Sequence, residues 1–83
     1  MITTQALRAV ISRSGQSARS VSVSMGRAAN YCTSAIGQAE RMGAAINTDT
    51  VAAIGAACGH TLALVPCDDL PPSSITIEPR PTE

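Results

Sequence analysis

The sequence predicts a small, mostly α-helical domain of about four helices that ends in a β-hairpin. Apolar residues recur at helical spacing through residues 1–60, whereas residues 61–79 contain short alternating runs bounded by prolines. The chain of 83 residues has room for one small core, because fourteen of its apolar residues are alanine and Tyr31 is its only aromatic residue. We therefore divide it into a helical domain (residues 1–60), a hairpin extension (61–79) and a tail (80–83).

The first two predicted helices are separated by a serine-glycine stop. The first helix has one apolar face, and Thr3 or Thr4 is placed to cap its start. The second begins at the cap Ser17 and covers residues 18–25 before Gly26. Because its serines alternate with apolar residues, a β-strand is the alternative, but the neighbouring helices favour a helix. The apolar face of the first helix consists of Ile2, Ala6, Leu7, Val10 and Ile11.

Two further helices are predicted before the pattern changes. The third covers roughly residues 29–39 and is followed by a loop at residues 42–46. Asn47 or Thr48 is placed to cap the fourth helix, which ends at Gly59. The predicted buried residues are Cys32, Ile36 and Ala39 in the third helix and Val51, Ile54, Ala57 and Cys58 in the fourth.

The last part of the chain is predicted to form the β-hairpin. Residues 61–65 and 74–78 contain alternating apolar residues, and an acidic loop with prolines separates them. A chain this small cannot easily cover these apolar residues, and the edge of a strand invites pairing. We therefore predict that the hairpin is the contact of a homodimer, made by Leu62, Leu64, Ile75 and Ile77.

Charge is distributed unequally along the chain, although the net charge is zero. Residues 1–43 contain five arginines and one acidic residue, Glu40, and therefore carry +4. Residues 44–83 carry −4, because five acidic residues stand against Arg80 alone. Such asymmetry points to a polyanionic partner, and double-stranded DNA is the candidate.

The sequence contains no pattern typical of an enzyme, a metal site or a cofactor site. Its three cysteines and one histidine lack the spacing of a zinc site, and no nucleophile, paired-carboxylate or phosphate-loop motif is present. Neither a signal peptide nor a membrane-spanning run is expected, so the prediction is a soluble cytoplasmic protein. The four soft-ligand residues are Cys32, Cys58, His60 and Cys67.

Residues 6–66 resemble the lambda-repressor-like, or Xre-type, helix-turn-helix family of DNA-binding proteins. The resemblance rests on a hydroxyl residue that opens the second helix, a branched apolar residue followed by a small one, an apolar residue before glycine, and an apolar residue inside the third helix. Those positions hold Ser17, Val21-Ser22, Met25-Gly26 and Ile36. Residues 50–66 are similar to the closing helix and strand of many short Xre-type regulators.

Four features depart from the family pattern. Thr33 is polar near a position where several members of the family have an apolar residue. Ala18 stands where the family usually has a glutamine that contacts phosphate, and Ser22 replaces the usual alanine. The chain also contains no lysine, so phosphate contacts would depend on arginine, hydroxyl groups and backbone amides.

The resemblance implies a lambda-repressor-like bundle that acts as a sequence-specific transcriptional regulator. It is expected to be a repressor that binds a palindromic operator as a dimer. A helix fits the major groove, where short polar side chains can distinguish base pairs. The expected base-reading residues are Arg27, Asn30, Thr33 and Ser34, and the expected phosphate contacts are Ser17, Arg19, Tyr31, Arg41 and Thr48. For Tyr31, a structural role in the core is an equally good interpretation.

Two other functions compete with this prediction. A helix-turn-helix scaffold can also bind another protein, for instance as a phage-encoded inhibitor or an antitoxin-like partner. The missing lysines and the zero net charge favour this interpretation. A cofactor or metal sensor on the same scaffold would rest on the cysteines alone.

Overall fold

The computed structural model describes residues 1–78 and contains four α-helices and one short 3₁₀ turn. The prediction of a mostly α-helical chain with about four helices is therefore confirmed. Pro79 and the predicted tail, residues 80–83, lie outside the described residues. The helices are α1 (Thr3–Arg13), α2 (Ala18–Ser24), α3 (Tyr31–Met42) and α4 (Thr48–Ala57), and the 3₁₀ turn covers Cys67–Asp69.

All four helices contribute to one apolar core. Its centre contains aliphatic residues and one cysteine, all 2% exposed or less, which are Leu7, Val21, Cys32, Ile36 and Ile54. These residues recur at helical spacing, so each helix turns one apolar face towards the others. The core contains no phenylalanine or tryptophan, and Tyr31 packs only against its edge.

The helix starts agree with the predicted caps in α2 and α4 but not in α1. Ser17 Oγ accepts a hydrogen bond of 3.0 Å from Ser20 N, and Asn47 Oδ1 accepts one of 2.8 Å from Thr50 N. Asn47 is therefore the cap of α4, whereas Thr48 is its first residue.

The predicted cap of α1 was wrong. Thr3 and Thr4 already lie inside the helix, and Ile2 precedes it. The amide of Ile2 donates a hydrogen bond of 3.2 Å to Oε1 of Gln5. A side chain from the first turn of the helix therefore gives a partner to the backbone amide that precedes the helix. The Thr4 side chain is turned inwards instead, because it follows the helical spacing of the buried face.

The third helix begins and ends later than the sequence predicts. It covers Tyr31–Met42 rather than residues 29–39, so Asn30 precedes the helix instead of lying inside it. The helix ends at Gly43, whose φ of 62° is the left-handed conformation that glycine adopts at helix ends. Glu40, Arg41 and Met42 continue the helix up to this glycine because all three have high helix propensity.

The predicted β-hairpin is absent from residues 1–78. No backbone hydrogen bond joins residues 61–65 to residues 74–78 within this part of the chain. The second of these segments binds the start of the chain instead, where Glu78 N donates to Met1 O at 3.0 Å. Pro66, Pro71 and Pro72 stiffen the connection and lack amide donors, which disfavours a regular ladder.

The C-terminal segment, residues 73–78, runs along α1. The Arg13 guanidinium donates to Ser73 O at the end of the helix. At its start, the Met1 amine donates to Thr76 O at 3.4 Å and lies 3.2 Å from the Glu78 carboxylate. An extended segment of six residues has about the length of an eleven-residue helix, so it can follow α1 from one end to the other.

Candidate nucleic-acid interface

A tight turn joins α2 and α3 and fixes their relative orientation. Gly26 has a φ of 73°, a conformation that side-chain-bearing residues rarely adopt. Next to it, the amide of Arg27 donates to Ser22 O at 3.0 Å. We call residues 17–42, which comprise this turn and both helices, the two-helix unit.

Ser22 connects the two helices through its side chain. It is fully buried, and its hydroxyl accepts a hydrogen bond of 2.9 Å from Cys32 N while donating one of 2.7 Å to Ala18 O. The amide of Cys32 lies in the first turn of α3, where helical amides lack partners within the helix. Asn30 makes no side-chain cap there, so Ser22 takes over the role of the cap from the preceding helix.

Sequence reasoning missed this role of Ser22. From the sequence, Ser22 is interpreted as the small residue after Val21 and as a departure from the alanine usual in Xre-type proteins, but not as a residue that binds another helix. Three serines alternate in α2, and a single sequence does not show which of them is buried. The available signal was its place directly after Val21, as the small residue that follows a branched apolar one in the middle of the helix.

The four predicted base-reading residues are exposed and lie around the start of α3. Arg27 is in the turn, Asn30 immediately precedes the helix, and Thr33 and Ser34 belong to its first turn. The structure therefore brings together the residues that the sequence selected. None of them is used in the core.

Tyr31 differs from its neighbours because it is half-buried. Its ring packs against the edge of the core, and the Arg27 guanidinium carbon lies 5.0 Å from the ring centre. This arrangement is a cation–π contact. It supports the core interpretation of Tyr31 that the sequence left open.

The predicted phosphate contacts are spread over three helices. Ser17 and Arg19 are exposed at the start of α2, Thr48 is exposed at the start of α4, and Arg41 is exposed near the end of α3. A Cβ atom at Gly37 would lie only 3.3 Å from Nη1 of Arg41. The guanidinium of Arg41 therefore lies back along α3, one turn closer to the exposed start of the helix.

Two of the five arginines in residues 1–43 are engaged within the fold. Arg8 forms a two-pronged contact with Glu40, with Nε to Oε2 at 3.0 Å and Nη2 to Oε1 at 2.6 Å. These hydrogen bonds hold the pKa of the Glu40 carboxyl below its ordinary value. Arg13 donates to the C-terminal segment. Within residues 1–78, Arg19, Arg27 and Arg41 form neither an ion pair nor a side-chain hydrogen bond through their guanidinium groups.

The four predicted dimer residues are not paired in one hairpin. Leu64 is fully exposed, at 104%, and Leu62 is 44% exposed in the chain that follows α4. Ile75 is half-buried and Ile77 is partly exposed in the C-terminal segment beside α1. Leu64 is therefore the most exposed large apolar side chain of residues 1–78, whereas Leu62 and Ile77 are exposed to a similar, smaller extent.

The cysteines occupy different environments. Cys32 and Cys58 are buried in the core, whereas Cys67 is exposed. Burial raises the pKa of the Cys58 thiol. Among the described residues, no three metal-ligating side chains are grouped closely enough to hold an ion. None of the helices in residues 1–78 has the length and apolar character needed to cross a bilayer.

Comparisons with protein-family models, with curated proteins and with solved structures gave no match for this chain. A functional interpretation therefore rests on the chain's own residues and on the geometry of the two-helix unit.

Proposed function

We propose that this protein is a sequence-specific DNA-binding transcriptional regulator of the Xre-type helix-turn-helix kind. The observation that carries the proposal is the two-helix unit, whose three arginines form no ion pair within residues 1–78 and whose exposed polar residues surround the start of α3. This unit belongs to the half of the chain that carries +4. A positively charged surface beside an exposed helix start suits a duplex.

The base contacts follow from the chemistry of the major groove. Asn30 can form two hydrogen bonds with adenine, and Arg27 can do the same with guanine. Thr33 and Ser34 can donate to or accept from either kind of base edge, and the threonine methyl group can contact thymine. With twelve residues, α3 is about 18 Å long, which is enough to cross several base pairs.

The phosphate contacts position the helix but do not read sequence. Arg19 and Arg41 flank the exposed part of the two-helix unit, and Ser17 and Thr48 offer a hydroxyl group and nearby amides at helix starts. Tyr31 was also predicted to contact phosphate, but its half-buried ring at the edge of the core favours the core interpretation. Because there is no lysine, the salt dependence of binding should arise mainly from arginine.

Dimerisation follows from the size of the unit. A single module buries too little surface for tight and specific binding, whereas two modules on a palindrome double the contacts and fix the spacing of the half-sites. We propose that a second copy covers Leu62 and Leu64, with Ile75 and Ile77 as further contacts. The backbone of residues 61–65 makes no backbone hydrogen bond within residues 1–78, so its donors and acceptors are available for pairing. Repression is the expected sign of regulation.

The test is binding of the purified protein to duplex DNA from upstream of its own gene, as a function of salt concentration. The logarithm of affinity should fall linearly with the logarithm of salt, and Arg19→Ala or Arg41→Ala should flatten the slope by about one unit per arginine lost. In a symmetric dimer that amounts to about two units.

Arg13→Ala is the matched control, because its guanidinium is engaged with the C-terminal segment. The control should leave the slope unchanged. Binding that ignores salt between about 50 and 200 mM, or a control that flattens the slope as much as Arg19→Ala, would contradict the proposed interface.

One observation favours the rival function, a module that binds another protein. Leu64 is fully exposed, and Leu62, Val65 and Leu70 are also exposed in the same part of the chain. If this is the working surface, the wild type should bind no duplex specifically but should bind the product of a neighbouring gene, and Leu64→Asp should abolish that binding. A divergent promoter with an inverted repeat beside the gene favours the regulator instead.

A further inference from the structure

The contact between Arg27 and Tyr31 joins an exposed charged side chain to a half-buried ring. Tyr31 is the first residue of α3 and packs against the core, so its ring moves with the helix. Arg27 is exposed, and its guanidinium carbon lies 5.0 Å from the centre of that ring. Within residues 1–78 the arginine forms no ion pair that would hold it elsewhere.

We propose that Tyr31 is a positioning residue, which holds the Arg27 guanidinium over its ring in the orientation needed to read a guanine. This inference rests on the proposed function. It assigns Tyr31 a role through its ring rather than through a hydroxyl contact to phosphate. A long arginine side chain loses rotamer entropy when it binds a base. An arginine that the ring already holds loses less of this entropy, so its contact with guanine contributes more to affinity.

The backbone of the turn supports this role. The amide of Arg27 is bonded to Ser22 O, and the hydroxyl of Ser22 is bonded to the amide of Cys32, directly after Tyr31. Arginine and ring are therefore attached to the same hydrogen-bonded turn. The planar guanidinium can stack on the ring and match the two acceptors of guanine with its fixed fork of donors, whereas a lysine ammonium is a point charge without that plane.

The first test uses the free protein and needs no DNA. In NMR spectra, a ring that covers Arg27 should shift the arginine δ and ε protons upfield of their ordinary positions. Tyr31→Phe should preserve this shift, and Tyr31→Leu should remove it. Ordinary arginine shifts in the wild type would overturn the inference, whatever the protein binds.

The second test measures discrimination between base pairs. Affinities are measured on the preferred site and on sites with single base-pair substitutions. Tyr31→Phe should discriminate between these sites as the wild type does. Tyr31→Leu should lose about two- to fivefold of the discrimination at one base pair. Arg27→Lys should lose discrimination at the same base pair. In an Arg27→Ala background, Tyr31→Leu should have no further effect.

The outcomes separate this inference from the proposed function. If the wild type binds a specific site but Tyr31→Phe loses affinity on all sequences alike, the hydroxyl contacts the backbone and the positioning role is wrong. If Tyr31→Leu unfolds, the arginine proton shifts of the wild type and of Tyr31→Phe still decide, because ordinary shifts there would show that the ring does not cover Arg27. If the wild type binds no specific duplex, the proposed function itself fails, while the NMR shifts still report whether the ring holds the arginine.

Discussion

At the scale of single residues, a buried side chain rather than an exposed one connects the two helices of the two-helix unit. Ser22 is buried and joins α2 to the start of α3 through two hydrogen bonds. Its hydroxyl gives a partner to an amide that the helix itself cannot satisfy. The exposed start of α3 therefore depends on one serine of the helix before it.

Ser22→Ala should destabilise the protein by about 1–3 kcal/mol, because the buried amide of Cys32 would lose its partner. The measurement is urea unfolding monitored by far-ultraviolet circular dichroism. Ser24→Ala is the matched control, since the Ser24 hydroxyl bonds only within its own helix and the residue is exposed. Equal effects of the two substitutions would contradict the capping role.

The pair of Arg8 and Glu40 predicts an electrostatic effect on binding. Glu40→Gln should free Arg8 and raise the charge of residues 1–43 from +4 to +5. Affinity for random duplex DNA should rise and its salt slope should steepen. Gel-shift titration at several salt concentrations measures both, and an unchanged slope would show that Arg8 lies outside the reach of DNA.

The same pair gives a pH dependence of known sign. Since the pKa of Glu40 is lowered in the folded protein, its contribution to stability is present above the ordinary value of 4.5 and is lost as the pH falls through the lowered value. The effect should be small because the pair is exposed. In Glu40→Gln this component of acid destabilisation should be missing.

At the scale of elements, the turn between α2 and α3 depends on one glycine. Gly26→Ala should cost about 1–2 kcal/mol, because alanine is strained at a φ of 73°. No atom lies within 4 Å of the added Cβ, so the cost would come from the backbone rather than from a clash. Thermal unfolding measures it. Gly26→Asn should cost less, since asparagine tolerates this conformation better, and a larger loss for asparagine would contradict the explanation.

The sequence predicted the elements whose causes are local. Helical spacing in α1 to α4, the cap Ser17 and the stop at Gly26 all act within a few residues, and these predictions are confirmed. The pairing of Arg8 with Glu40 joins residues 32 apart, and one sequence carries no signal for it.

The prediction of a β-hairpin was wrong for a related reason, because it too concerned which distant residues lie side by side. The alternating pattern of residues 74–78 shows that a segment is extended, but not what lies beside it. Its partner is residue 1, at the other end of the chain. For the candidate site, the sequence predicted which residues around the start of α3 are exposed. It did not predict the contact of Tyr31 with Arg27, because that contact depends on the conformation of the turn between α2 and α3.

At the scale of the whole molecule, the proposed dimer makes Leu64 a sensitive position. Leu64→Asp should leave the stability of the monomer nearly unchanged, because the side chain is fully exposed. It should weaken self-association and reduce affinity for a palindrome, because a charge in an apolar contact costs several kcal/mol. Sedimentation at micromolar concentrations and binding to half-sites and whole sites measure these effects.

Ile36→Ala provides the contrast, since it removes a core side chain and should lower stability by about 2–5 kcal/mol. A wild type that sediments as a monomer yet binds the palindrome tightly would place the dimer contact on the DNA. These substitutions are cleaner than deletion of everything after residue 59, which would also remove the segment that lies along α1.

The exposed run at residues 61–65 also has a consequence for handling the protein. It is uncharged, contains threonine, leucine and valine, and lies open to other copies, which makes it a hazard for aggregation. The isoelectric point is about 6.5, so near that pH net charge would not keep copies apart. We therefore expect the lowest solubility slightly below neutral pH. A second copy or another partner that covers residues 61–65 should raise this solubility, because it removes the apolar side chains from solvent while the net charge stays the same.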